Sequence, residues 1–228
     1  MKIGFIVLCR YNSTRLPGKI LKQINGRYVI DYIIGRLCQV VPRENIVIAT
    51  SDLPTDQPIA EYCAKAGINC YRGNLENVAG RFLACARAQA FDFAFRINGD
   101  NIFIDTDLVQ EAVDLARTNK YRFISNVHQR SYPKGMSIEG VDVELFAERL
   151  PFFTDYHREH VMPYLYEHAD EYTHHYIYNT SVPELAGIQL AIDTQDDLDL
   201  AQKIMDQLPG RDNFGLKEIS TALKKIYE

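Results

Sequence analysis

The chain has 228 residues, of which 46 % are hydrophobic and 24 % charged, and carries a net charge of −5. That composition supplies a core and excludes a disordered chain, while the acidic balance argues against a nucleic-acid partner. No apolar run reaches the roughly 20 residues of a membrane span, so no membrane association is expected.

The opening Met1-Lys2-Ile3-Gly4-Phe5-Ile6-Val7-Leu8 is too short for a secretory signal and lacks a small-residue cleavage site. It reads as a buried first strand over residues 2–8. Further strands are expected at 45–50, 68–71, 92–97 and 122–127. Helices are expected between them at 29–40, 58–66, 78–90 and 107–119, where apolar residues recur three or four apart, as in Ile30, Ile33, Ile34 and Leu37. Strand–helix alternation at this spacing predicts an α/β fold with a mostly parallel sheet between helices.

The second half is less regular. Strands are expected at 137–144 and 187–192, a helix at 155–169 and an extended segment at 174–181. Thr194-Gln195-Asp196-Asp197 has the spacing of an N-terminal cap, so a helix should start there, and a last helix should run over 216–227. No repeat or linker divides the chain, which predicts one domain over 1–228 with residues 150–182 as a small protruding arm. Tyrosines concentrate in that arm, and tyrosine suits interfaces as well as cores. His157 reads as a surface residue. The cysteines (Cys9, Cys38, Cys63, Cys70 and Cys85) form no Cys-x-x-Cys pair and read as reduced, buried small hydrophobes in a cytoplasmic protein.

Chemistry concentrates after the first strand, in Arg10-Tyr11-Asn12-Ser13-Thr14-Arg15-Leu16-Pro17-Gly18-Lys19. Ligands of an open parallel sheet bind beyond the carboxyl ends of its strands. Cations, hydroxyls and free N–H groups there suit a di- or triphosphate, although composition alone fits a solvated loop equally well. The stretch is not a Walker loop, because the upstream glycine is missing and Ile20 follows Gly18-Lys19. Asn98-Gly99-Asp100 and Ile192-Asp193-Thr194 each end an expected strand in a carboxylate, a hard oxygen ligand suited to Mg²⁺. Either acid taken alone reads as a turn or cap residue. Two carboxylates and a cationic loop on one sheet edge read as a metal–polyphosphate site.

The loop Arg10…Ser13-Thr14-Arg15-Leu16-Pro17-Gly18-Lys19 resembles the signature of the cytidylyltransferases that make CMP-Kdo and CMP-acylneuraminate, and their spore-coat polysaccharide relatives in particular. Further matches follow in order: Ile48-Ala49-Thr50, Arg72-Gly73 with Arg81, Asn98-Gly99-Asp100, Ser125-Asn126, and Tyr132-Pro133-x-Gly135 with Glu139. Arg158-Glu159-His160-Val161 and Ile192-Asp193-Thr194 with Asp197 complete them. The resemblance implies a glycosyltransferase-A-like nucleotidyltransferase fold with a dimerisation arm, a homodimer, and transfer of CMP from CTP to an acidic sugar or similar anionic acceptor.

By the same resemblance Arg10, Lys19 and Asp100 carry catalysis, and Asp100 with Asp193 holds Mg²⁺. Leu8, Arg10, Ser13, Arg15, Gly18, Lys19, Arg72, Arg81, Asn98 and Gly99 contact the nucleotide. Asn126, Tyr132, Glu139, Glu159 and His160 contact the acceptor. The alternatives are a nucleotidyltransferase for a sugar 1-phosphate and a nucleotide-binding protein without catalysis. Asn77, Ile102 and Met162 depart from the usual Asp, Pro and Thr, at positions expected in the nucleotide and acceptor walls.

Overall fold

The computed structural model describes residues 1–208, 212 and 214–227. Its spine is a seven-stranded sheet. In chain order the strands are β1 (Ile3–Leu8), β4 (Ile46–Ser51), β5 (Asn69–Gly73), β6 (Phe93–Asn98), β7 (Phe123–Ser125), β8 (Glu139–Asp142) and β9 (His174–Tyr176), with β2 (Gln23–Ile24) and β3 (Arg27–Tyr28) forming a separate hairpin. The sheet order is β5-β4-β1-β6-β8-β7-β9. β1 pairs in parallel with β4 and β6, whereas β8 runs antiparallel to both β6 and β7. The chain steps outward from β1 to β4 and β5, then crosses to the other side of β1 to lay down β6. The switch point therefore lies between β1 and β6, where open α/β sheets place their ligands.

Two apolar layers cover the sheet. Phe5, Val7, Phe93 and Phe95 face one core with α1 (Val29–Leu37) and α4 (Thr106–Arg117). Ile6, Leu8 and Ala94 face the other, with Phe82 of α3 (Val78–Ala88) and Phe146 of α5 (Val143–Arg149). Alternate residues of β1 thus serve opposite layers, as strand geometry requires. The remaining helices are α2 (Gln57–Ala66), α6 (Asp155–His160), α7 (Pro163–Glu167), α8 (Gln195–Gln207) and α9 (Leu216–Tyr227). No helix among the described residues is long and apolar enough to cross a membrane.

Several expectations change. The helix over 155–169 is two short ones, because Val161 takes φ 75° and Pro163 follows, and neither continues a helix. Residues 187–192 do not form a strand. A single bridge pairs Gln189 with Lys134, so this stretch runs beside the sheet as a tether. The strand expected over 137–144 stops at Asp142, whose carboxylate accepts from Leu145 N at 2.7 Å and starts α5. Residues 150–182 lie against the body: Met162 and Leu165 are fully buried, and β9 hydrogen-bonds to β7 as the sheet's last strand. The five cysteines are free thiols, but only Cys63 and Cys85 are buried and Cys38 is exposed.

Candidate active site

The site opens where β1 and β6 end side by side. Leu8 pairs with Asn98, and Gly99 N donates to Leu8 O at 2.9 Å, which carries the pairing one residue past the strands. A Cβ at position 99 would stand 2.5 Å from Cys9 Cβ, so the approach requires glycine. Beyond this edge lies a cleft of about 1080 Å³. That is at or above the ~300–1,000 Å³ of a typical small-ligand pocket and leaves room for a nucleotide with a second ligand. Six cations line it (Arg10, Arg15, Lys19, Arg81, Arg96 and Arg158) against five carboxylates, so an acidic protein presents a cationic cleft.

The loop after β1 is anchored from below by Asp56, a residue that the sequence reading passed over. Its buried carboxylate accepts from Tyr11 N at 2.7 Å, Thr50 Oγ1 at 2.8 Å and Ser51 N at 2.9 Å. Burial pushes its pKa up, but the hydrogen bonds from Ser51, Tyr11 and Thr50 outweigh burial and hold the acid below its ordinary value. Tyr11 O in turn accepts from Ser13 N and Gly18 N. The loop is thereby folded back on itself, and Ser13, Arg15 and Lys19 face the cleft.

Lys19 begins a single 3₁₀ turn over Lys19–Leu21, and its Nζ stands between the two expected metal ligands. It donates to Asp100 Oδ2 at 2.9 Å, Asp193 Oδ1 at 3.1 Å and Ile192 O at 2.8 Å, while Arg15 Nη2 pairs with Asp193 Oδ1 at 2.9 Å. Residues 93 positions apart in the chain therefore share one ammonium. Asp193 is free to do so because the cap of α8 is made by others: Thr194 and Asp197 form a reciprocal capping box, and Asp197 Oδ2 also accepts from Asp193 N. The tether of residues 188–192 is held by Lys134 N to Ile188 O and Leu190 N to Lys134 O, and Ile192 N donates to Asp100 O.

Asp100 Oδ1 is buried and has no hydrogen-bond partner among the described residues, which leaves one anionic oxygen unspent beside the Lys19 contact. Two hard carboxylates, one with an orphaned oxygen, suit a divalent cation whose remaining ligands are phosphate oxygens and water. Among the described residues no group of three or more His, Cys, Asp or Glu side chains could hold a metal by itself. Desolvation of the half-buried Cys9, a thiol of the cleft lining, pushes its pKa above the ordinary thiol value.

The other wall is Asn74–Val78 with Arg81. Arg81 is 5 % exposed and its Nη1 donates to Asn74 O at 2.6 Å, shaping this wall from beneath; burial lowers its pKa. Asn77 lines the cleft and caps α3 by accepting from Gly80 N at 2.9 Å. Arg72 does not reach the lining. Its guanidinium is used on Ser51 O, Leu53 O and Gln57 Oε1, bracing the β4–α2 loop.

At the far end α6 contributes Arg158, Glu159 and His160, with the strained Val161 beside them. A β-branched residue at positive φ in a cleft wall is a strained position of the kind that gathers at functional sites. Asn126 and Tyr132 lie off the lining. Both are buried, and the Asn126 side chain is consumed by Met136 O at 2.8 Å and Ile138 N at 2.9 Å. Glu139 is buried beneath Arg96 and meets the cleft only through it. Ile102 and Met162 are core residues, so of the three departures only Asn77 touches the cleft. His157 is buried rather than superficial, closing a capping box with Thr154 and meeting Glu167 at 3.0 Å.

A sheet with its switch point between β1 and β6 and a cationic cleft at that point matches the nucleotidyltransferase fold. The chain belongs to the cytidylyltransferase family, whose family model matches residues 4–224. It is a CTP-dependent nucleotidyltransferase. It is 29 % identical to the spore coat polysaccharide biosynthesis protein SpsF of Bacillus subtilis, over 98 % of this chain and 94 % of that protein. It is 28 % identical to a 3-deoxy-manno-octulosonate cytidylyltransferase of Psychrobacter, over 50 % of this chain and 42 % of that one. Among solved structures, a cytidylyltransferase from Leptospira borgpetersenii superposes with a TM-score of 0.92 at 26 % identity, covering 100 % of this chain and 95 % of its own. CMP-2-keto-3-deoxy-manno-octonic acid synthetase in complex with CTP has the same fold, with a TM-score of 0.64 at 16 % identity over 91 % of this chain and 99 % of that one.

Proposed function

We propose that this protein transfers CMP from CTP to an acidic sugar of the ulosonic type or a similar anionic acceptor, releasing pyrophosphate, in surface polysaccharide or glycan biosynthesis. The observation that carries this reading is the ammonium of Lys19 between Asp100 and Asp193 at the end of the β1–β6 switch point. Polysaccharide and octulosonate activities in the names of its relatives support the acceptor class.

An acceptor hydroxyl attacks the α-phosphorus and gives up its proton to solvent water, a P–O bond forms, and the bond from the α-phosphorus to the departing pyrophosphate breaks. Arg10 and Lys19 bind the β- and γ-phosphates and take up the charge that gathers on them. Leu8, Asn98 and Gly99 form the floor under the nucleotide, and Ser13, Arg15 and Arg81 complete its contacts. Asp100 and Asp193 would hold Mg²⁺, which would supply charge neutralisation at the phosphates. Lys19 donates to both carboxylates, so its role at the phosphates requires its flexible side chain to exchange those partners. Glu159 and His160 border the acceptor end. No side-chain nucleophile is needed.

The reading also places the protein in the cytoplasm, where CTP is made. It assigns a two-fold homodimer, the commonest closed oligomer, to the face bearing Phe152 and Tyr156, which are 65 % and 58 % exposed. Pyrophosphate release from CTP, UTP, ATP and GTP with Mg²⁺, against ulosonic acids, phosphonate acids and sugar 1-phosphates, tests the whole. Turnover with CTP and an acid is expected. Turnover only with a sugar 1-phosphate, or only with UTP, would overturn it.

A further inference from the structure

Arg96 precedes Asn98, the last residue of the strand whose end forms the site and leads to Asp100, and it lines the cleft. Residues two apart on a strand share a face, which sets Arg96 on the cleft side about 7 Å deeper than Asn98. It stands level with Glu139 in the β6–β8 pairing, and its Nη1 donates to Glu139 Oε2 at 2.5 Å. The rest of the guanidinium is unspent. Among the described residues Nε is buried without a partner and Nη2 has none.

What holds this pair is a chain of buried groups. The other oxygen of Glu139 accepts from Tyr166 OH at 2.7 Å, Tyr166 OH meets Ser125 Oγ at 2.5 Å, and Val127 N donates to Ser125 Oγ at 2.9 Å. Burial, reinforced by Glu139, raises the Tyr166 pKa well above its ordinary value, so the phenol stays a donor. Glu139 is thus fixed from behind by a neutral hydroxyl, and it fixes one corner of Arg96. An ion pair serving only the core would be expected to satisfy its fork, since an unpaired buried N–H costs stability. Here the Nε–Nη2 edge, the one that matches a carboxylate or phosphoryl group in two parallel bonds, is left over at the floor of a cationic cleft. Arg158 lines the same cleft, and its Nη groups have no partner among the described residues.

We infer that Arg96 is the contact for the acceptor's anionic group, and that Glu139, Tyr166 and Ser125 are positioning residues that aim it. The inference rests on the acid-acceptor reading and deepens it by naming the group that tells an acid from a neutral sugar. The shared chemistry is an oxyanion with two coplanar acceptor atoms, supplied by a carboxylate or by a phosphonate.

The test is calorimetric binding to protein saturated with α,β-methylene-CTP and Mg²⁺. The probes are 3-deoxy-manno-octulosonate, N-acetylneuraminate, their methyl esters, and 2-hydroxyethylphosphonate. At least one acid should bind the unmodified protein, with its neutral ester about thirtyfold weaker, and the acid that binds identifies the anion's source. Arg96→Gln should lose about thirtyfold for the acid, as expected for one charge-assisted pair, with nucleotide affinity changed less than about twofold, and Arg96→Lys should recover part. Tyr166→Phe and Glu139→Gln should weaken the acid roughly three- to tenfold without moving the nucleotide, a split that mere loss of stability would not produce. Undiminished acid binding in Arg96→Gln, or equal loss for acid and nucleotide, overturns the inference while the acid-acceptor reading stands. Failure of every acid to bind nucleotide-loaded protein overturns that reading and the inference with it. Should Arg96→Gln not fold, Arg96→Lys and Tyr166→Phe decide: selective loss for the acid supports the assignment, and none in either overturns it.

Discussion

The two ends of the cleft are built in different ways. The phosphate end is a loop of ten consecutive residues on the end of β1, joined by carboxylates that leave β6 and the 188–192 tether. Each part has a local cause: free N–H groups beyond a strand, a carboxylate beside a glycine, and a helix cap made by Asp197 that spares Asp193. The end proposed for the acceptor is assembled from Arg96 in mid-strand, Glu139 on the neighbouring strand, Tyr166 on α7 and the α6 turn. Chemistry common to all nucleotide transfer sits where short sequence suffices. On the proposed assignment, recognition particular to one acceptor sits on tertiary contacts, where single substitutions should alter it without disturbing the triphosphate.

The largest effects should fall at the phosphate end. Asp100→Asn and Asp193→Asn keep shape but remove an anionic oxygen, and each should lower kcat by at least about a hundredfold, roughly 2.7 kcal/mol. Steady-state kinetics should show the double variant far less than additive, because both carboxylates act on one centre. Normal turnover by either variant would reduce that carboxylate to a partner of Lys19 alone. Next, Arg10→Ala should weaken CTP by on the order of 1.5–3 kcal/mol and CMP hardly at all, as read by calorimetry. Equal losses would mean that Arg10 does not read the distal phosphates.

A third variant probes how the tether serves the site from a distance. Gly135 has φ 93°, and a Cβ there would stand 2.5 Å from Ala191 N. Gly135→Ala should therefore push the tether and Asp193 outward, costing on the order of 1–3 kcal/mol of stability and lowering kcat about tenfold. Unchanged kcat in thermally weakened protein would show that Asp193 is held from the α8 side only.

The smallest effect is expected at Asp56, which supports the loop without entering the cleft. Its folded-state pKa is depressed, so its contribution is fully present above the unfolded value near 4 and is lost as pH falls through the folded value. Denaturant melts of Asp56→Asn should show a deficit of about 1–3 kcal/mol at neutral pH that shrinks below about pH 4. A deficit independent of pH would assign the loss to shape rather than charge.

Much of the first half was legible because strand and helix periods there are unmixed. β1, β4, β5 and β6 alternate with α1 to α4, and the expected spans meet the observed ones within a few residues. The hairpin of β2 and β3 was missed although its Asn25-Gly26 turn is a strong local signal. The strands are only two residues long and carry no period. The stretch 187–192 misled for the opposite reason: its apolar residues are buried by the wall they lie against, not by sheet pairing, and a run of that length cannot tell the two apart.

The sequence by itself determined the alternating strands and helices of the first half, the phosphate loop and the identity of both carboxylates, since each depends on residues adjacent in the chain. Only the tertiary structure decided that Lys19 stands between Asp100 and Asp193, that Asp56 anchors the loop, and that Arg72, Asn126 and Tyr132 lie away from the cleft lining. It alone placed Arg96 at the cleft floor with Glu139 beneath it. The physical reason is that a polar side chain has several donors or acceptors and spends them on whatever the fold brings near. Its type is written in the chain, but which of its bonds remain open for a ligand is set by neighbours as far as 43 to 174 residues away.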